Sequence, residues 1–122
     1  MSIFDNYNIC VEESKDMYDI MKSDSRLSKY VFKPTSGYCF RIRFPEILKE
    51  NPLGINAISC SVPPDCNRNL KYGITYETAL ISDDQIVYNN DLGYDDIRRF
   101  STVEEMIKEV LRVTEEVEKS FL

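Results

Sequence analysis

The sequence predicts an α+β domain: a single, mostly antiparallel sheet of five to six strands with an N-terminal helix and a long C-terminal helix packed on one face. Three observations predict this fold. Residues 38–44 and 73–82 alternate in side-chain polarity as half-buried strands do. Short turn sequences separate neighbouring strands, which favours hairpins and hence antiparallel pairing. Residues 103–121 carry apolar side chains at helical spacing.

A single domain over residues 1–122 follows from the size and composition of the chain. Its 122 residues, of which 43% are hydrophobic, suit one compact core. We find no internal repeat, low-complexity tract or composition shift that would mark a linker between two domains.

The first predicted element is a helix over residues 11–23. Met17, Ile20 and Met21 lie at the i, i+3, i+4 spacing of one apolar helix face. Acidic residues in the first turn complement the positive end of the helix dipole. We therefore expect these three apolar side chains to face the core.

The next elements form a hairpin. Residues 29–33 and 38–44 predict two strands, and residues 34–37 (Pro-Thr-Ser-Gly) have the chemistry of a turn. On the second strand the aromatic and aliphatic residues should face the core. Arg41 and Arg43 should then face solvent or a partner, since they alternate with the apolar residues.

The middle of the chain predicts a short helix, a strand and a loop. A helix over residues 45–51 begins with proline, which suits the first helical position. Residues 55–62 predict a strand with one apolar face: Ile58, Cys60 and Val62. Residues 63–69 read as the longest irregular connection.

A second hairpin and a short strand follow. Residues 73–82 and 85–89 predict the two hairpin strands, joined by the acidic turn at residues 82–84. A loop over residues 89–93 then leads to a short strand near residues 96–100.

The C-terminal helix carries the strongest pattern. Ser101 as N-cap with Glu104 three residues later predicts a capping box at its start. Its apolar stripe is Val103, Met106, Ile107, Val110, Leu111, Val113, Val117 and Phe121. We expect this stripe to pack on the sheet, and a homodimer seam is the alternative.

Charge is distributed unevenly along the chain, whose net charge is −6. Residues 26–73 contain eight basic and three acidic residues, whereas residues 74–122 contain twelve acidic and five basic ones. This pattern is consistent with a basic patch on an acidic body, and the alternative is a solvated surface on which the charges intermix once the chain folds. The candidate binding residues are Arg41, Arg43, Tyr76, Tyr88, Asp95, Asp96, Glu105, Glu109 and Glu116.

Several chemistries are disfavoured by composition. The chain has no histidine, which excludes Ser-His-Asp and Cys-His catalysis within it and zinc sites that need imidazole. Its four glycines form no phosphate-binding loop, and its four cysteines form no CxxC pair. We therefore expect no cofactor and no metal, and Cys66 is the thiol to test.

The resulting expectation is a small, acidic, non-catalytic protein-binding module. A composition rich in Ile, Asn, Asp, Lys and Tyr is typical of AT-rich genomes, which favours a viral, phage or mobile-element protein that blocks or modulates a host protein. One alternative is a small thiol- or carboxylate-dependent enzyme. A second is a nucleic-acid-binding protein that uses the basic segment 26–73, although the net charge disfavours it.

Location follows from missing signals. The N-terminal residues lack a basic region followed by an apolar one, as a secretory signal requires. No apolar run approaches the roughly 20 residues that span a bilayer. We expect a cytoplasmic protein, in the host cell cytoplasm if it is viral, with another protein rather than a membrane as its partner.

Overall fold

A computed structural model describes residues 3–35, 39–43, 51–62, 76–83 and 85–121. Within these ranges the chain forms two α-helices, six strands and one short 3₁₀ helix. Their bounds are α1 (Ile3–Ser23), β1 (Val31–Thr35), β2 (Cys39–Arg43), β3 (Ala57–Ser61), β4 (Tyr76–Ser82), β5 (Gln85–Val87), the 3₁₀ helix (Asn90–Leu92), β6 (Arg98–Phe100) and α2 (Val103–Lys119). The predicted α+β class with an antiparallel sheet is confirmed.

Five strands pair in chain order, β1-β2-β3-β4-β5, and every pairing is antiparallel. The sixth strand, β6, also pairs with β4. Since β3 occupies one side of β4, β5 and β6 must both lie on the other side, one after the other. They run in the same direction there and act as one edge strand interrupted by residues 88–97.

The main core lies between one sheet face and the two helices. The predicted strand face of Ile58, Cys60 and Val62 is fully buried, as predicted. The α2 stripe also packs into this core, with five buried members: Met106, Ile107, Val110, Val113 and Val117. Core packing of the stripe is therefore confirmed for these residues. A smaller cluster of Ala57, Ala79, Ile81 and the partly buried Ile97 lies on the other sheet face.

One apolar residue of α1 does not face the core. Met17 and Met21 are buried, but Ile20 is 50% exposed, so this prediction was wrong. Successive residues of a helix are rotated by about 100°. The buried face is centred between Met17, Met21 and Ser14, and Ile20 lies to one side of it.

The first helix begins at Ile3, eight residues before the predicted start at residue 11. Two other local predictions shift by one or two residues. The N-cap of α2 is Thr102, whose Oγ1 accepts a hydrogen bond from the Glu105 N–H at 3.1 Å, and not Ser101. Both residues stand three positions before a glutamate, so the pattern allowed either. Pro34, predicted in a turn, pairs with Phe40 inside β1. An edge strand tolerates proline because one side of its backbone has no partner strand.

Other predictions lie outside the described residues. The predicted short helix falls almost wholly in residues 44–50, and the predicted long loop falls in residues 63–75. No helix in the described part of the chain is long and apolar enough to cross a membrane.

Candidate protein-binding surface

The structure divides the predicted binding residues between surface and interior. Six have exposed side chains: Arg43, Tyr88, Asp95, Asp96, Glu105 and Glu116. Tyr76 and Glu109 are buried, so they present almost no surface to a partner. The side chain of Arg41 and the whole of Cys66 lie outside the described residues.

Exposed apolar and acidic side chains occur together beside β5. Tyr88 is 63% exposed and Ile86 is 44% exposed, and the two residues stand two positions apart in one extended segment. Asp91, Asp95 and Asp96 are also exposed. We call these five residues the acidic edge. From residue 83 to residue 97 the sequence contains five aspartates and no basic residue.

The loop that carries the acidic edge has a defined backbone. Asn89 and Tyr94 form an isolated β-bridge, in which each N–H donates to the other residue's carbonyl at 2.8 Å. Tyr88 and Asp95 flank this bridge and are therefore neighbours across it. The Asn89 side chain accepts a hydrogen bond from the Leu92 N–H at 3.2 Å. Gly93 closes the loop at φ +79°, a conformation that favours glycine.

Two buried side chains hold this loop on the core. Leu92 and Tyr94 belong to the main apolar cluster. The Tyr94 hydroxyl also shares a hydrogen bond of 2.7 Å with Thr78 Oγ1 on β4. Buried Leu92 and Tyr94 therefore lie between the exposed residues of the loop and fix the position of the backbone that carries them.

A buried carboxylate connects the loop to α2. Glu109 is 5% exposed and accepts hydrogen bonds from Arg98 Nη1 at 2.9 Å and from Arg112 Nε at 2.6 Å. Arg112 Nη2 also donates to the Leu92 carbonyl at 2.6 Å. Helix α2, the loop and β6 are thus joined by one charged network under the acidic edge.

The charges of this network stabilise one another. Burial alone would raise the pKa of Glu109, but hydrogen bonds with Arg112 and the Tyr94 hydroxyl, and the charges of Arg112 and Arg98, lower the pKa below its ordinary value. Burial and the nearby Glu109 carboxylate raise the pKa of Tyr94. Glu109 is therefore ionised and Tyr94 neutral at physiological pH.

The acidic residues of α2 are in a different electrostatic state. Lys119 Nζ lies 3.1 Å from Glu115 Oε1, and Arg26 Nη2 lies 3.2 Å from Glu104 Oε1. Among the described residues, no ion pair involves Asp91, Asp95 or Asp96. The acidic edge therefore has more uncompensated charge than the surface of α2.

The basic candidates stand on a separate part of the sheet. Arg43 is exposed and its backbone is opposite Ala57 of β3, and Arg41 is opposite Ser59. In the described ranges, no group of three or more cysteine, aspartate or glutamate residues could hold a metal ion. Cys60 is a buried thiol within the core.

Comparisons with protein families, curated proteins and solved structures find no match to this chain.

Sequence reasoning missed two residues that define this surface. Ile86 continued an alternating strand, which gave no sign that its side chain would remain exposed. Arg112 follows Glu109 by three positions, a spacing that brings side chains together on a helix. That spacing could have suggested their ion pair, but the contact of Arg112 with the Leu92 carbonyl is long-range in sequence and gives no local signal.

Proposed function

We propose that this protein is a small, non-catalytic binding module that recognises a basic surface of another protein through the acidic edge. The observation that supports this proposal is the position of Tyr88 and Ile86: both are exposed on a backbone that buried residues hold in place. The same loop carries exposed aspartates that form no ion pair with any residue the structure describes. Apolar anchors rimmed by charge are the usual composition of a protein interface.

The two kinds of residue would contribute differently to binding. Burial of an exposed Tyr or Ile side chain contributes about 1–2 kcal/mol, and tyrosine is enriched among residues that dominate binding energy. The aspartates would mainly increase the association rate and select a partner of opposite charge. The anchored loop favours binding because less conformational entropy is lost when the complex forms.

A partner with a basic groove is consistent with a role in blocking a host protein. A viral, phage or mobile-element protein that blocks a host factor needs only to occupy a surface, and an acidic edge competes for sites that normally bind phosphates. This proposal requires no reaction centre in the chain.

Affinity capture from cells that naturally contain the protein tests the proposal, with co-purified proteins quantified by mass spectrometry. The edge variants are Tyr88→Ala and the double variant Asp95→Asn/Asp96→Asn. The matched control is Glu105→Gln/Glu116→Gln, which removes the same charge from exposed positions on α2. All variants change surface residues, so thermal unfolding should confirm that each one folds.

We expect a partner with a basic surface whose recovery falls about tenfold in the edge variants, as loss of a dominant contact implies. The α2 control should retain it, and higher salt should weaken the wild-type complex. If a partner binds the edge variants but not the α2 control, the binding surface is on helix α2 and not at the acidic edge. If no protein depends on either surface, the binding-module proposal is wrong.

A further inference from the structure

Strand β5 lies at an edge of the sheet, and no described strand pairs with its outer side. It pairs with β4 through a tight hairpin in which Ser82 is opposite Gln85 and Ile81 is opposite Ile86. The turn begins at Asp83, whose φ of +52° suits a two-residue hairpin turn. The direction of the backbone groups of β5 can be derived from this register.

In an antiparallel ladder the pairs alternate between hydrogen-bonded and non-hydrogen-bonded. The Ile81 carbonyl accepts a hydrogen bond from the Asn56 N–H at 2.8 Å, so it points towards β3 and away from β5. Ile81 and Ile86 are therefore a non-hydrogen-bonded pair. The N–H and C=O of Ile86 consequently point outward from the sheet, beside its exposed side chain.

An outward N–H and C=O in an apolar edge strand are the groups that an added strand uses. The other sheet edge, β1, contains Pro34, which has no N–H to donate. In β5, by contrast, every residue retains its N–H. The outer side of β5 is thus the better template for strand addition.

The charge around β5 identifies the occupant. A second copy of this chain would bring its own Asp83, Asp95 and Asp96 against the same residues, and that repulsion disfavours self-pairing. An extended segment that carries Lys or Arg would instead meet opposite charge near both ends of β5, from Asp83 before the strand and from Asp95 and Asp96 after it. Alternate side chains of such a segment would contact Ile86 and Tyr88.

We propose that β5 binds an extended, Lys- or Arg-bearing segment of another protein by strand addition, with the Ile86 backbone as the pairing site. This inference rests on the proposed function, which it deepens by naming the form of the partner. It requires that an unstructured peptide binds, and that binding depends on main-chain groups at Ile86.

The probe is a library of random linear 12-residue peptides displayed on phage and selected against the full chain. We expect selected peptides to be basic and extended. The decisive variants are Ile86→Pro and Ile86→Ala. Both remove the side chain, but only proline removes the N–H. Because that N–H points away from β4, Ile86→Pro should leave the β4–β5 pairing intact, which circular dichroism and thermal unfolding verify.

Fluorescence anisotropy of a selected peptide should give roughly fivefold weaker binding to Ile86→Pro than to Ile86→Ala, as loss of one hydrogen bond implies. If Ile86→Pro does not fold, backbone N-methylation of the peptide replaces it. Methyl groups at every second position should abolish binding, because alternate N–H groups of the added strand face β5.

Failure of this inference is separable from failure of the proposed function. Equal affinity for Ile86→Pro and Ile86→Ala, or no two-residue period in the methylation series, overturns strand addition. So does a selection that yields no linear peptide, or light scattering that finds a wild-type dimer made monomeric by Ile86→Pro. If binding still weakens in Tyr88→Ala and Asp95→Asn/Asp96→Asn, the acidic edge remains the binding surface.

Discussion

The loop between β5 and β6 and the helix α2 are both rich in acidic residues, but their charges have different surroundings. On α2, lysine and arginine side chains lie beside several of the glutamates, and Glu109 is buried between two arginines. In the loop, the aspartates have no ion pair among the described residues and lie next to exposed Tyr88 and Ile86.

This difference teaches that acid density alone does not identify a binding surface. A paired surface carboxylate is partly neutralised and contributes little to long-range attraction. Unpaired carboxylates beside exposed apolar residues retain both the charge and the contact area that a partner needs. The following predictions separate the two regions experimentally.

The largest loss of stability is expected at Glu109, the residue that connects α2 to the loop through its arginine partners. Glu109→Gln leaves Arg98 and Arg112 without their shared carboxylate, and we expect the free energy of unfolding to fall by about 2 kcal/mol at pH 7, less than for a fully buried pair because both arginines are partly exposed. Urea unfolding measures this change. Glu116→Gln, at an exposed position on the same helix, is the matched control and should cost less than about 0.5 kcal/mol.

The same variant should change the response to acid. The folded state holds the pKa of Glu109 below its ordinary value, so its stabilisation is complete above the unfolded pKa and is lost as the pH falls through the folded pKa. The stability difference between wild type and Glu109→Gln should therefore be full above the ordinary carboxyl pKa of 4.5 and should shrink as the pH falls below it. A constant difference as the pH falls would contradict the ionised network.

The next prediction concerns the backbone of the loop between β5 and β6 and its importance for partner binding. Gly93→Ala and Gly54→Ala both introduce a side chain at positive φ, +79° and +69°, with no close clash at either position. Each should destabilise the fold by about 1 kcal/mol in thermal unfolding. Only Gly93→Ala should also weaken partner binding, because it strains the loop that carries Tyr88. Equal loss of binding in both variants would mean that global stability, not loop shape, controls affinity.

A third pair tests the start of α2. Thr102→Ala removes the observed N-cap and should cost about 1 kcal/mol, whereas Ser101→Ala should have almost no effect. Chemical denaturation of the two variants compares them directly. If Ser101→Ala destabilises the fold more than Thr102→Ala does, Ser101 is the N-cap, as the sequence predicted. Neither variant should change binding at the acidic edge.

The smallest effect concerns the other end of α2. The Tyr30 hydroxyl donates to Glu118 Oε1 at 3.1 Å, and burial together with this carboxylate raises the pKa of Tyr30 to about 12. Tyr30→Phe should cost about 0.5 kcal/mol, since Glu118 is exposed and regains water. Ultraviolet titration of the tyrosines should lose a transition near pH 12 in this variant, while the still higher transition of Tyr94 remains. An unchanged titration would place the raised pKa on another tyrosine.

The parts of the fold that the sequence predicted are those set by local periodicity. Two patterns follow from burial of one face: the alternation over Ile58, Cys60 and Val62, and the apolar stripe on α2. Both could therefore be predicted from the sequence. The antiparallel order followed from short turns between strands. The N-cap moved by one residue because two overlapping patterns satisfy the same hydrogen-bonding rule.

The candidate site was harder to predict because burial of individual residues depends on distant contacts. Tyr88, Asp95 and Asp96 were named as binding candidates, and the structure places all three at the surface, while their binding role stays a prediction. Tyr76 and Glu109 were named on the same grounds but are buried, and arginines from two elements balance the charge of the ionised Glu109. Contacts between elements that are distant in sequence bury Tyr76 and Glu109, and the local sequence pattern does not show those contacts.

The interruption between β5 and β6 has a consequence for engineering. Since β4 alone sets the register of both half-strands, the segment between them is a natural insertion point, and doubling its length would add only about 0.6 kcal/mol in closure entropy. A foreign epitope inserted between Asn90 and Asp91, with the core anchors Leu92 and Tyr94 retained, would be displayed on a scaffold whose strand pairing does not depend on the insert.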